Sequence, residues 1–188
     1  RHAQESRGLG DVYKRQVVVL VPSLKLKKKS REVTEEEFGE ELDKKMDDML
    51  QKMYLLNGVG LSGIQVGDDR RMLVADAGSG PIKVVNPEIL EFSEEKVTFR
   101  EGCLSVPGLA AEVERSKSIK IRYKTPFGQV VEGVLEDVNA VIIQHEVDHL
   151  DGITLLDGLS NLKKNMYLKK LKKQKKKLKN KLNRYGLK

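Results

Sequence analysis

Thiols are almost absent from this chain of 188 residues, and that scarcity is the first constraint on what it can be. A single cysteine, Cys103, cannot form an intrachain disulfide, so a disulfide scaffold is excluded and a reducing compartment fits. Also missing are any apolar run near 18 residues and any charged-then-apolar leader, so no membrane span or membrane partner is expected. Acidic residues are missing from one place only. Positions 163–188 hold 13 of the 35 Lys and Arg and none of the 28 Asp and Glu. The remainder carries 22 basic against 28 acidic groups, a net −6, although the whole chain is +7. An acidic body with a basic tail points to a polyanionic partner for the tail and not for the active site.

The length suits one domain with a real core plus a tail. Positions 1–16 show no apolar periodicity and read as an extension outside the fold, 17–162 as the catalytic domain and 163–188 as a basic C-terminal helix or tail. Val17 to Val21, ended by Pro22, suggests a brief strand. Thr34 and Glu37 form a capping-box pair ahead of a helix whose stripe is Phe38, Leu42, Met46, Met49, Leu50, Met53 and Tyr54. Beyond Arg71 the period becomes that of strands: 72–75, 82–85, 89–92, 96–99, 119–123 and 129–134, punctuated by prolines and the Thr125-Pro126-Phe127-Gly128 turn. Strands so closely spaced favour antiparallel pairing. The expected class is therefore α+β, with antiparallel strands packed around a central helix and a basic C-terminal helix.

That central helix carries the chemistry. Leu135, Val138, Val141, Ile142, His145 and His149 recur at helical spacing, which puts His145 and His149 on one core-facing stripe. H-E-x-x-H at 145–149 lets two imidazoles bind one divalent ion while Glu146, off their line, reaches a water. A catalytic metal usually takes a third protein ligand. Leu155 stands where a metzincin-like pattern would place a third histidine, and no Glu follows Glu146, as a thermolysin-like site would need. The remaining donors are His2, Cys103 and, more remotely, Asp151 and Asp157. Cys103 lies in E-G-C-L-S at 101–105, just after a strand, where a glycine allows close approach. A third stretch, 58–67, has three glycines in its first six positions and one amide side chain, Gln65. It follows a helix and lacks Lys-Ser or Lys-Thr, so it is a poor nucleotide loop. It suits a pocket wall that binds an extended peptide and donates to an oxyanion.

Together the three stretches resemble the peptide deformylases, whose motifs read approximately G-x-G-L-A-A-x-Q, E-G-C-L-S and Q-H-E-x-D-H-L. The resemblance implies removal of the formyl group from the N-formylmethionine of new polypeptides by a metal-activated water. It implies Cys103, His145 and His149 as metal ligands, Glu146 as general base, and Gln65 and the Leu104 backbone N–H as oxyanion donors. Gly60 then matches a backbone position that pairs with substrate, and Val59, Leu104 and Val141 line the methionine pocket. Fe2+ is the implied ion, with Zn2+, Ni2+ or Co2+ accepted by the same donors. Glu101 and Asp148 are expected to orient the histidines or to pair with Arg115. The implied partners are N-formylmethionyl peptides and, through the tail, the ribosome; no DNA is implied. The implied setting is the cytoplasm in a bacterial or phage-type context, or an organelle in a eukaryote. Two departures stand out: Ser62-Gly63 in place of Ala-Ala, expected to loosen that loop, and Ala110 near where some members carry a substrate-contacting arginine. The rival readings are a metalloprotease and an RNA-binding protein with a structural metal.

Overall fold

The computed structural model describes residues 18–184, so the extension expected over 1–16, with His2, lies outside the described residues. The chain divides into two compact units between Thr154 and Leu155. The first is built on a five-stranded antiparallel sheet. In chain order its strands are β1 (Gly60–Ser62), β2 (Met72–Ala75), β3 (Ile82–Phe92), β6 (Ser118–Lys124) and β7 (Val130–Glu136), hydrogen-bonded in the order β1-β2-β3-β6-β7. β4 (Lys96–Gly102) and β5 (Ala110–Ser116) form a separate antiparallel ribbon.

Strand alternation sorts the side chains of the sheet between two helices. Met72, Val74 and Val85 join Leu42, Met46, Met49, Leu50 and Met53 of α1 (Glu40–Leu55) in one apolar cluster. Leu73, Val84, Ile119 and Ile121 join Ala140, Ile142, Ile143, Val147 and Leu150 of α2 (Asp137–Leu150) in the other. β2 is thus buried on both faces, as its unbroken apolar run requires. α2 ends at Asp151-Gly152, with Gly152 at φ +77°. A Cβ at Gly152 would stand 2.7 Å from the Lys27 carbonyl oxygen, so only glycine closes this helix end.

Local structure departs from the sequence expectations in four places. The Thr34/Glu37 pair exists, with the Glu37 carboxylate accepting from the Thr34 N–H at 2.9 Å, but it caps a single 3-10 turn at Glu35–Glu37. Gly39, at φ +131°, then redirects the chain, and the helix begins at Glu40, leaving Phe38 outside it. Tyr54 is exposed, its hydroxyl donating to Asp76 at 2.6 Å. Val18 to Val21 forms no strand; instead the Val19 N–H donates to the Gln65 carbonyl at 2.6 Å and the Val21 N–H to that of Ser105 at 3.0 Å.

The second unit contains α3 (Asn161–Arg184), entered from Ser160, whose carbonyl accepts from the Lys164 N–H at 2.9 Å. Tyr167 and Leu171 are buried, and Lys169, Lys170, Lys172, Lys173, Lys175, Lys176, Lys177 and Lys179 are exposed. Of the stripe expected at Leu168, Leu171, Leu178 and Leu182, Leu168 is half-buried, and the last two side chains lie outside the described set. No helix among the described residues is long and apolar enough to cross a membrane.

Candidate active site

Three segments converge on the first unit's cleft, a cavity of about 600 Å³ lined by the 57–60 turn, Gln65, the 99–104 segment and the inner face of α2. The helical offset of four places His145 and His149 side by side, ring centroids 5.0 Å apart. β4 ends at Gly102, and the turn that follows, closed by the Val106 N–H donating to the Cys103 carbonyl at 3.0 Å, brings Cys103 to them. Ligand atoms of Cys103, His145 and His149 all lie within 4.8 Å of one another, and Cys103 Sγ is 3.1 Å from His149 Nε2. The other sequence candidates are not brought here. Asp151 is held by Arg71 at 2.7 Å, and Asp157 belongs to the second unit, with Lys164 beside it at 3.5 Å.

The surroundings of this triad are charged and ordered. Glu101 Oε2 lies 2.7 Å from His145 Nδ1, and Arg115 donates to both Glu101 oxygens, at 2.8 and 3.1 Å, and to Asp148 at 2.6 Å. Burial opposes the Glu101 charge, but the His145 and Arg115 hydrogen bonds prevail and hold its pKa at about 2. An ionised carboxylate can only accept, so Nδ1 of His145 carries a proton, and Nε2 is the one ring nitrogen left as a potential ligand atom. Burial also works against charge on His145, yet its hydrogen bonds to Cys103 and Glu101 and the nearby Glu146 raise its pKa to about 10. Burial, with His145 and Arg115, pushes His149 down to about 3.

Glu146 follows His145 and turns toward β1. It is 3% exposed, and burial raises its pKa to about 7. Its Oε2 is buried without a protein hydrogen-bond partner, as suits a carboxylate that takes a proton from water. β1 packs so close that a Cβ on Gly60 would stand 2.9 Å from the Glu146 carboxyl carbon, so glycine at position 60 makes room for that carboxylate.

Gln65 is buried and aimed into the same space. Its Oε1 accepts from the Ser62 N–H at 2.8 Å and the Ser62 hydroxyl at 2.9 Å. Its Nε2 donates to Ser105 Oγ at 3.2 Å and lies 3.7 Å from Cys103 Sγ. The Ser62-Gly63 pair, expected to loosen this loop, is closely packed here. Both residues are buried, and a Cβ on Gly63 would meet the Arg70 carbonyl oxygen at 2.9 Å. Leu104 packs on the α1 core and against Gly58, whose added Cβ would touch its Cδ1 at 2.8 Å. Val141 is buried, Val59 is 54% exposed at the rim, and both line the cleft; Ala110 is exposed at the start of β5, opposite Gly102. Sequence reasoning passed over Ser105 as a contact of Gln65, although it stands inside the E-G-C-L-S stretch. It also passed over Gln144, whose amide binds both the N–H and the C=O of Ser116 and so anchors α2 on β5.

A thiol and two imidazoles close together, with a buried carboxylate beside them, form a donor set of the kind that metal-dependent hydrolases use. Residues 15–165 match the family described as polypeptide deformylase. A peptide deformylase of Thermotoga petrophila is 45% identical over 146 residues, which cover 78% of this chain and 88% of that protein. The crystal structure of peptide deformylase from Thermotoga maritima superposes with a TM-score of 0.73 at 43% identity, covering 76% of this chain and 96% of that one. The Ehrlichia chaffeensis enzyme in complex with actinonin gives a TM-score of 0.79 at 35% identity, covering 84% and 95%. The chain belongs to the polypeptide deformylase family.

Proposed function

We propose that this chain removes the formyl group from the N-formylmethionine of newly made polypeptides, releasing formate, with Cys103, His145 and His149 holding one divalent ion and Glu146 acting as general base. The observation that carries this reading is the convergence of those three ligand atoms beside the buried Glu146, whose Oε2 has no protein partner, in a chain of this family. Fe2+ is the ion we favour from the family, and the mixed donor set also suits Zn2+, Ni2+ or Co2+. An ion bound there supplies Lewis acidity and lowers the pKa of water toward neutrality.

The chain's own residues supply the rest. Glu146, poised near neutrality by burial, accepts the proton of the attacking water and passes it to the departing amine. The Gln65 Nε2–H and the Leu104 backbone N–H donate to the oxyanion as the formyl carbon becomes tetrahedral. Glu101, itself gripped by Arg115, fixes the ring of His145. The peptide backbone lies along Gly60, and the methionine side chain rests against Val59, Leu104 and Val141. The functional partition is a deformylase domain over 17–162, its strands packed around the H-E-x-x-H helix, and a basic C-terminal tail or helix over 163–188 that contacts the ribosome. Its setting is the cytoplasm, or an organelle where formylated chains are made.

Product identity tests the reaction. Formyl-Met peptides should yield formate and a free amino terminus in equal amounts while casein stays intact. Cleavage of casein without formate release would make the chain a protease instead.

A further inference from the structure

Gln65 can serve as an oxyanion donor only in one of its two amide orientations, because its nitrogen donates and its oxygen cannot. Two donors fix that choice. The Ser62 N–H, 2.8 Å from Oε1, comes with the backbone of the turn and would be there whatever residue stood at 62. The Ser62 hydroxyl, 2.9 Å from the same oxygen, belongs to the side chain alone. Ser62 is fully buried and Gln65 nearly so, hence no solvent competes for either group. In the flipped orientation the Gln65 NH2 would face a backbone N–H at hydrogen-bonding distance, a donor against a donor.

We infer that the Ser62 hydroxyl is a positioning residue of the reaction: it acts through Gln65, locking the side-chain amide with Nε2 presented between Cys103 and Ser105. This rests on Gln65 being the oxyanion donor, as proposed above. The hydroxyl adds a second donor to Oε1, so the lock is tighter here than a backbone N–H alone would make it. Ser62 also lies close enough to Glu146 to favour the charged carboxylate, which gives the hydroxyl a second conceivable target that the test must separate.

The test is a double-mutant cycle on Ser62→Ala and Gln65→Ala with a formyl-Met tripeptide, reading kcat and KM apart, with bound metal per chain measured for every variant. Ser62→Ala removes one atom from a buried site, but that atom also accepts from the Gln65 backbone N–H, so thermal unfolding is recorded for every variant to show that each folds. The substitution is expected to lower kcat about fivefold to tenfold with KM and metal content unchanged, the scale of one net hydrogen bond. In the Gln65→Ala background it should lower kcat no further, and Ser62→Thr, which keeps the hydroxyl, should recover most of the rate. An equal drop from Ser62→Ala with and without Gln65 would overturn the inference and assign the hydroxyl to Glu146. An unchanged kcat in Ser62→Ala would overturn it as well. If Gln65→Ala itself leaves kcat untouched, the oxyanion role fails first, and the inference falls with it.

Discussion

At the scale of the residue, the site is held together by close approaches that leave little freedom to substitute. Gly60→Ala should cost at least a hundredfold in kcat, because the new methyl meets Glu146 and must displace the base or β1. Metal content should be unchanged, since the ligands lie elsewhere; steady-state kinetics together with metal analysis checks both halves. Arg115 shows the opposite dependence. It is 12% exposed and bridges Glu101, 6% exposed, to Asp148, so Arg115→Ala strands a buried carboxylate. Losing one partner of such a pair costs about 3–5 kcal/mol. For a domain of this size that lowers Tm by roughly 10 °C, measurable by calorimetry. That Cys103, His145, His149, Glu146 and Gln65 meet in one place was legible because spacing and chemistry coincide in H-E-x-x-H, E-G-C-L-S and the glycine stretch. Ser105 was not legible as a contact of Gln65, because it reaches that side chain by tertiary approach, which no local pattern records. Ser62 stands three residues before Gln65 in the S-x-x-Q spacing of a capping box, a local signal that sequence reasoning overlooked.

Among the elements, those with a strong period were read closely and those built on polar or short segments were not. Met72–Ala75 is a strand with the expected bounds, and 82–85 with 89–92 proved to be one strand, β3, running through Pro87 with a register shift on its β6 side. β5 was missed because its inward positions are Ala111, Val113 and Arg115; a half-buried arginine, held by Glu101 and Asp148, breaks the apolar alternation. β1 spans three residues, too few to show any period. The Thr34/Glu37 turn supplies a test at this scale. Hydrogen bonds from Arg31 and the Thr34 N–H hold Glu37 at about 2, below its ordinary 4.5. A pKa depressed by folding adds stability that is complete above about pH 4.5 and is lost as pH falls toward 2. Arg31 is half exposed, so the contribution is small and screened by salt. Urea titrations should show wild type more stable than Glu37→Gln near neutrality, with the gap closing only below about pH 4.5. A gap constant down to pH 3 would remove the ion pair as its cause.

For the whole molecule, charge is unevenly spread along the chain. The acidic remainder of the chain includes the cleft, and the basic charge is concentrated over 163–188, on α3 and the residues after it. Because Tyr167 and Leu171 are buried, the tail is best tested by replacing exposed lysines rather than by cutting the chain. Lys172, Lys173, Lys175, Lys176 and Lys177 changed to glutamine should leave hydrolysis of short formyl-Met peptides intact. The same change should weaken ribosome co-sedimentation at low salt and flatten its salt dependence by about one unit of slope for each phosphate no longer neutralised. Unchanged co-sedimentation would remove the ribosome as a partner of this helix and leave the enzyme untouched.

The central claim is that one divalent ion, bound by Cys103, His145 and His149, is required for release of formate. It is tested most directly by stripping anaerobically purified protein with a chelator, reloading it in steps, and recording formate release against bound metal per chain. Formate release should be absent from the stripped protein, rise in proportion to bound metal and level off at one ion per chain, while Cys103→Ser neither retains the ion nor regains the rate. Full formate release from metal-free protein, or a Cys103→Ser variant that binds one ion and turns over as wild type does, would contradict it.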